Sequence, residues 1–216
     1  PGRFADAFRD AFAADAEQVV CFCVSGEVSA TYGAAMAGRD LLPDRDITVI
    51  DSRTLTMAQG FMVLEAARVA AAGCSVDDVV ARAQDVGSRT HVYAALSTLK
   101  YLAMSGRVGH LAAGVAGLLN VKPILTVRDG KLDMLEKVRT RSNAWARVVE
   151  LTRQVCGSVE RMAIIHICAG DGVRRFEDAL RAGMPCPREI MVAEMNPGMS
   201  VHGGAGMVGV VTVAGR

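Results

Sequence analysis

Neither sign of charge dominates this sequence: 24 basic residues face 23 acidic ones, a formal net charge of +1. That balance excludes the broad positive field with which proteins hold nucleic acid or an anionic membrane surface. No apolar run is long enough to span a bilayer, and no basic, apolar, small-residue signal stands at the start, so a cytoplasmic protein is expected. The six cysteines, at 21, 23, 74, 156, 168 and 186, include no C-x-x-C pair. A chain of 216 residues with 51% hydrophobic side chains can build its core without disulfide staples, and reduced thiols follow. Internal repeats and low-complexity tracts are missing. So are the G-x-S-x-G elbow, the P-loop, H-E-x-x-H and paired carboxylates, which leaves no standard active site in view.

What is present is a succession of short apolar runs and helical patterns. Val19 to Val24 and Ile47 to Ile50 read as strands covered on both faces. Between them a helix is expected with Ser29 as its N-cap and Tyr32, Ala35 and Met36 at helical spacing. Further helices are predicted from Met57 to Ala72 and from Val76 to Gln84, then a strand over Val92 to Leu96. The first hundred residues therefore read as an α/β layer with a largely parallel sheet. After Leu99 the pattern changes. Short helical stretches, Leu99 to Met104 and Leu111 to Leu119, flank Ser105-Gly106-Arg107, and Lys122 to Val138 reads as a hairpin turning at Asp129-Gly130. A helix over Ala144 to Val155, a strand over Met162 to Cys168, a helix over Val173 to Ala182 and a strand over Ile190 to Met195 follow. A glycine-rich turn then leads to a last strand, Met207 to Val213. The expected division is 1–98 and 99–216, the second domain being mixed α/β with antiparallel strands.

Three stretches carry polar groups suited to a ligand. Ser25-Gly-Glu-Val-Ser29-Ala-Thr31-Tyr32 stands where a buried strand meets a helix N-terminus, the place in an open α/β sheet where anions and polar ligand heads bind. The plainer reading gives Ser29 a capping role and packs Thr31 in the first turn. Arg107 lies between Gly106 and Gly109 at a break between helices, where a guanidinium fork suits a carboxylate or phosphate, or is simply an exposed loop arginine. His202-Gly203-Gly204-Ala205-Gly206 offers backbone N–H donors and an imidazole, yet a strand after it rules out a dinucleotide fingerprint. Cys21 and Cys23 share one face of the first strand and are conceivable zinc ligands with His166 and Cys168. Without ligand-pair spacing, the plainer reading of buried cysteine as a small hydrophobe prevails, and no metal or cofactor is expected. The 11 methionines suit an ordinary core, and equally a cavity for a long alkyl chain.

In order along the chain, these stretches resemble the DegV family. The family's S-x-x-L-S-G-T-Y is similar to Ser25 to Tyr32, its V-I-D-S stands at Val49 to Ser52, and its G-G-R-I-S corresponds to Ser105 to Gly109. L-L-x-x-K-P-I-L is nearly literal at Leu118 to Leu125, K-x-R fits Lys137 to Arg139, and H-x-G-P-G-A-L-G is similar to His202 to Gly209. Departures are Ala30 for glycine, Gly109 for serine and Gly203-Gly204-Ala205 for the glycine-proline-glycine turn. Family members usually begin with a strand and a segment ending in T-S-Q-P; Pro1 to Phe4 resembles the residues after it, so that strand and one threonine contact are expected to be absent.

The resemblance implies a two-domain fold enclosing one long-chain fatty acid, such as palmitate, stearate or oleate, in a closed tunnel between the domains. It implies a carboxylate held by Ser25, Ser29, Arg107 and His202, with Thr31, Gly26, Gly106, Gly204 and Gly206 supporting. It further implies a carrier without catalytic residues of its own, which presents the acid to a separate fatty-acid kinase for acyl-phosphate formation and phospholipid synthesis, with transient membrane contact for lipid loading. Two rival readings stay open: a phosphoryl-transfer enzyme using His202 or a serine, and a carrier of another hydrophobic anion.

Overall fold

The computed structural model describes residues 1–107 and 121–216. The predicted helix over Leu111 to Leu119, Gly109 and the first part of the Leu118 to Leu125 motif lie outside the described residues. Two compact units form: Pro1–Leu55 with Gln59–Ser88 and Asp129–Lys131, and Thr56–Ala58 with Arg89–Arg128 and Leu132–Arg216. No helix among the described residues is long and apolar enough to cross a membrane.

The first unit begins with α1 (Gly2–Ala13), β1 (Val19–Cys23), α2 (Thr31–Arg39) and β2 (Ile47–Asp51). It continues into α3 (Met57–Ala71) and α4 (Val76–Ser88). This is the predicted order, and β1 pairs with β2 in parallel, Val19 opposite Ile47 and Cys23 opposite Asp51. The crossover through α2 is what a parallel pair requires. Gln59 Nε2 donates to Phe22 O at 3.0 Å, tying α3 to the back of β1. Ser75 starts α4, since Asp78 N donates to Ser75 Oγ while Asp78 Oδ2 accepts from Ser75 N and Oγ. That reciprocal arrangement satisfies two otherwise unpaired donors.

The second unit is built on a six-stranded sheet in the order β5-β4-β3-β8-β6-β7. Its strands are β3 (Thr90–Ala95), β4 (Lys122–Arg128), β5 (Lys131–Val138), β6 (Val159–His166), β7 (Met191–Glu194) and β8 (Val208–Ala214). Its helices are α5 (Lys100–Met104), α6 (Arg141–Val155), α7 (Asp171–Gly183) and α8 (Pro197–Gly203). β3 corrects an expectation. It joins no parallel layer with β1 and β2; it runs antiparallel to β4 and β8, and the units divide at Ser88 and Arg89 instead of near Leu99. An apolar run announces a strand, but its partner lies more than 110 residues away at Val208–Ala214, beyond any local signal. A second correction is α8, expected as a glycine-rich turn. Asn196 caps it by accepting from Met199 N at 3.0 Å, and Pro197 fills the first position, where the missing N–H costs nothing.

β8 is the central strand, and from Val208 to Val213 both of its alternating side-chain sets are buried. That is why the sequence there is a continuous apolar run without alternation. Beside it, Ile164 and Val210 pack with Trp145, Val148, Phe176 and Leu180 of α6 and α7 in one core. The Trp145 and Phe176 rings meet at 6.0 Å in a tilted arrangement.

Candidate functional site

In the first unit the predicted hydroxyls gather at the carboxyl ends of β1 and β2. Asp51, the last residue of β2, accepts from Gly26 N at 3.2 and 3.3 Å and from Arg53 N at 2.8 Å, which fixes the turn after β1. Ser25 is fully buried; its Oγ donates to Gly130 O at 2.7 Å and accepts from Glu27 N at 3.2 Å. The proton expected to face a ligand therefore goes to a carbonyl at the Asp129–Lys131 turn, and Gly26 N–H is likewise committed. A hydroxyl has one proton, so Ser25 in this arrangement positions the turn.

Ser29 differs. α2 begins at Thr31 with Ala30 as N-cap and no side-chain cap, so Ser29 stands one residue ahead of its predicted capping place. Its Oγ lies 2.8 Å from Thr31 Oγ1 and accepts from Thr31 N at 3.3 Å. Two hydroxyls share one bond, so one proton of the pair stays available at the start of α2, where the helix end carries partial positive charge. Sequence reasoning named Ser25, Ser29 and Thr31 but missed the brace of Asp51 and the Gly130 carbonyl. The family landmark Val49 to Ser52 flagged the first; nothing local flags a partner 105 residues away.

In the second unit α5 closes through a glycine. Arg107 N donates to Leu102 O and Gly106 N to Ala103 O, with Gly106 at φ +70°. This six-to-one and five-to-two pairing is a Schellman motif, so Gly106 is there to end the helix and set Arg107 just beyond it. Arg107 is exposed, donates from Nη1 to Ser105 O at 2.6 Å, and meets no carboxylate among the described residues.

α8 packs on α5 and carries His202 in its last turn. Burial, and then the positive charge of Arg107, hold the His202 pKa below the usual histidine value. The imidazole is accordingly neutral near pH 7, with one N–H donor and one acceptor. Its Nδ1 is buried and has no hydrogen-bond partner among the described residues. Such an atom is costly to leave unsatisfied. Arg107 and His202 thus lie close enough for the charge of one to act on the other. The backbone donors expected of the following loop are not free: Gly204 N donates to Ser200 O and Gly206 N to Ile167 O. Gly204 is required for another reason, since at φ +74° a Cβ there would lie 2.3 Å from the Tyr101 ring.

The two cysteines of β1 pack against each other, and Cys23 is buried. Cys21 and Cys23 sulfurs lie 3.9 Å apart, and burial pushes the Cys23 thiol up to about 12, helped by Cys21 and Asp51. A protonated thiol is the opposite of what a metal ligand or nucleophile needs.

The sequence matches the family described as "Uncharacterised protein, DegV family" over residues 1–215. The chain belongs to the DegV family. A DegV domain-containing protein of Streptomyces coelicolor is 34% identical over 212 residues, 98% of this chain and 75% of that protein. Among solved structures, a DegV family protein from Corynebacterium glutamicum superposes with a TM-score of 0.91 at 28% identity, covering 99% of this chain and 82% of that one. A DegV family protein from Thermus thermophilus, described for its fatty acid binding, gives 0.87 at 27% identity, covering 98% and 75%. The α/β architecture of this DegV chain, a small parallel sheet and a mixed sheet with antiparallel strands, is that of its relatives.

Proposed function

We propose that this DegV protein is a carrier for one long-chain fatty acid, of the size of palmitate, stearate or oleate, with no catalytic chemistry of its own. The observation that carries the reading is the Arg107–His202 pair: among the described residues, an exposed guanidinium without a carboxylate beside a neutral imidazole whose buried Nδ1 lacks a partner. Such a pair suits a carboxylate headgroup, which accepts from both without requiring a metal. The likeness to the Thermus thermophilus protein supplies the ligand class. In the finer form taken from the family resemblance, Ser29 and Thr31 of the first unit add hydroxyl donors, Ser25 shapes their turn, and the acyl chain is enclosed in apolar surroundings. Burying roughly 15 methylenes at about 0.8 kcal/mol each contributes about 12 kcal/mol. Enclosing the carboxylate opposes this unless donors replace its water.

On the same reading the bound acid is passed to a separate fatty-acid kinase in the cytoplasm, for acyl-phosphate formation and phospholipid synthesis, and loading involves brief membrane contact. The rival phosphoryl-transfer enzyme predicts ATP hydrolysis or labelling with Mg²⁺ in the absence of a partner; a carrier predicts neither. Mass spectrometry of the organic extract of purified protein tests the ligand: one co-purifying fatty acid is expected, and an isoprenoid or bile acid in its place overturns the assignment. Arg107→Ala removes a charge-assisted donor worth roughly 1.5–3 kcal/mol, so fatty-acid affinity should fall roughly 10- to 100-fold. An unchanged affinity removes Arg107 from the site.

A further inference from the structure

A second recess in the same unit is built for an anion and has no part in the reading above. It is lined by Ala95, Leu96 and Ser97 after β3, Lys122 at the start of β4, Arg141, Ala144 and Trp145 in the first turns of α6, and Gly206 before β8. Lys122 Nζ donates to Ser97 O at 3.1 Å, which anchors the ammonium and leaves two of its three donors. The Arg141 guanidinium stands 6.0 Å over the Trp145 ring.

Neither cation has a carboxylate partner among the described residues. Arg128, Arg147, Arg174 and Arg181 of the same unit are each ion-paired. The α6 N-terminus adds its own donors. Thr140 Oγ1 accepts from Asn143 N and Thr140 O from Ala144 N, which leaves Arg141 N and Ser142 N without an acceptor among the described residues. The space is kept open by Gly206: at φ +82°, a Cβ there would lie 2.8 Å from Ser97 Oγ and 3.3 Å from Arg141 Nη2. Two cations without a carboxylate, a hydroxyl and a positive helix end thus line one small recess.

We propose that this recess binds a phosphate-type oxyanion, either the free ion or the terminal group of a phosphomonoester. The small size of the recess suits a small tetrahedral head. Two cations with a hydroxyl favour the three or more acceptor oxygens of phosphate over the two of a carboxylate.

Calorimetric titration of the full chain at low ionic strength, with inorganic phosphate and separately with glycerol 3-phosphate, tests this. Saturable binding of one equivalent is expected, and the tighter of the two probes identifies the source. Lys122→Met and Arg141→Gln should each weaken it about tenfold or more. Arg128→Gln, whose parent guanidinium is paired with Asp133, should leave it unchanged. Arg141 is exposed at a helix start, so its variant remains a test if Lys122→Met fails to fold. No saturable phosphate binding by the unmodified chain, or equal losses in Arg128→Gln, overturns the proposal. Fatty acid extracted from the same variants is expected to match the unmodified chain, so failure of the fatty-acid reading and failure of this one are separate results.

Discussion

Replacing Ser25 by alanine separates a positioning role from a ligand-binding one. The side chain is fully buried, and its hydroxyl makes two bonds: to Gly130 O at 2.7 Å and from Glu27 N at 3.2 Å. The two losses are unequal. Glu27 is exposed, so its N–H returns to water at little cost, whereas Gly130 is buried and its carbonyl would be left without a donor. A buried acceptor stripped of its partner costs about 1–3 kcal/mol. For a chain of this length each kcal/mol lowers Tm by about 2–4 °C, so Ser25→Ala should melt about 2–12 °C early. Ser29→Ala is the comparison. Its hydroxyl is half-buried and bonded to Thr31 Oγ1, which can turn to water, so the stability loss should stay below about 1 kcal/mol. Thermal melting by circular dichroism, paired with fatty-acid binding on the same samples, should find Ser25→Ala worse in stability and Ser29→Ala worse in binding. If Ser25→Ala melts with the unmodified chain while binding collapses, the Ser25 proton belongs to the ligand and the reasoning fails.

Gly204→Ala puts a methyl group 2.3 Å from the Tyr101 ring and forces a side chain onto φ +74°, so a loss of about 1–3 kcal/mol is expected by chemical denaturation; Tyr101→Ala should recover the steric part and leave the backbone part. Burial holds the pKa of both His91 and His202 below 6.5, so as pH falls through that value the unfolded chain takes up protons that the folded chain refuses. Stability should therefore fall as the pH drops from neutrality through the usual histidine range, by at most about 1.4 kcal/mol per pH unit and histidine, and replacing both by glutamine should flatten that part of the melting profile.

The order of elements was legible because each is announced locally. Strands β1, β2, β6 and β8 are short apolar runs, and α4 has its start written in Ser75, Asp77 and Asp78. What local pattern cannot carry is pairing across distance: β3 announces itself as a strand while its neighbours β4 and β8 are fixed only by the folded sheet. The site followed the same rule. Ser29, Thr31, Arg107 and His202 stand out as candidates by residue type and place, but the capture of the Ser25 hydroxyl by Gly130 depends on a hairpin tip 105 residues on. Asn196-Pro197 was a readable helix start overshadowed by the glycines after it. The pattern of those glycines suggests ligand-facing donors, whereas Gly204 N closes α8 and Gly206 N extends the β6–β8 pairing.

One sequence signal points to both proposed anion sites and concerns what stands near each arginine. On the exposed helices, arginines have an acid within a turn: Arg9 pairs with Asp6, Arg174 with Asp171 and Arg181 with Glu177. Such pairs spend the positive charge locally and leave little field for a ligand. By contrast no acidic residue stands between Asp85 and Asp129, or anywhere after Glu194. Arg107 and Lys122 fall in the first of these stretches, His202 and Gly206 in the second, and the fold joins the two through the β3–β8 pairing and the packing of α5 on α8. A chain whose charges nearly cancel can thus hold a positive patch, because its acids are kept out of two segments that meet in space. Overall charge argues against a polyanion as partner; the placement of charge argues for a single small oxyanion group at each site.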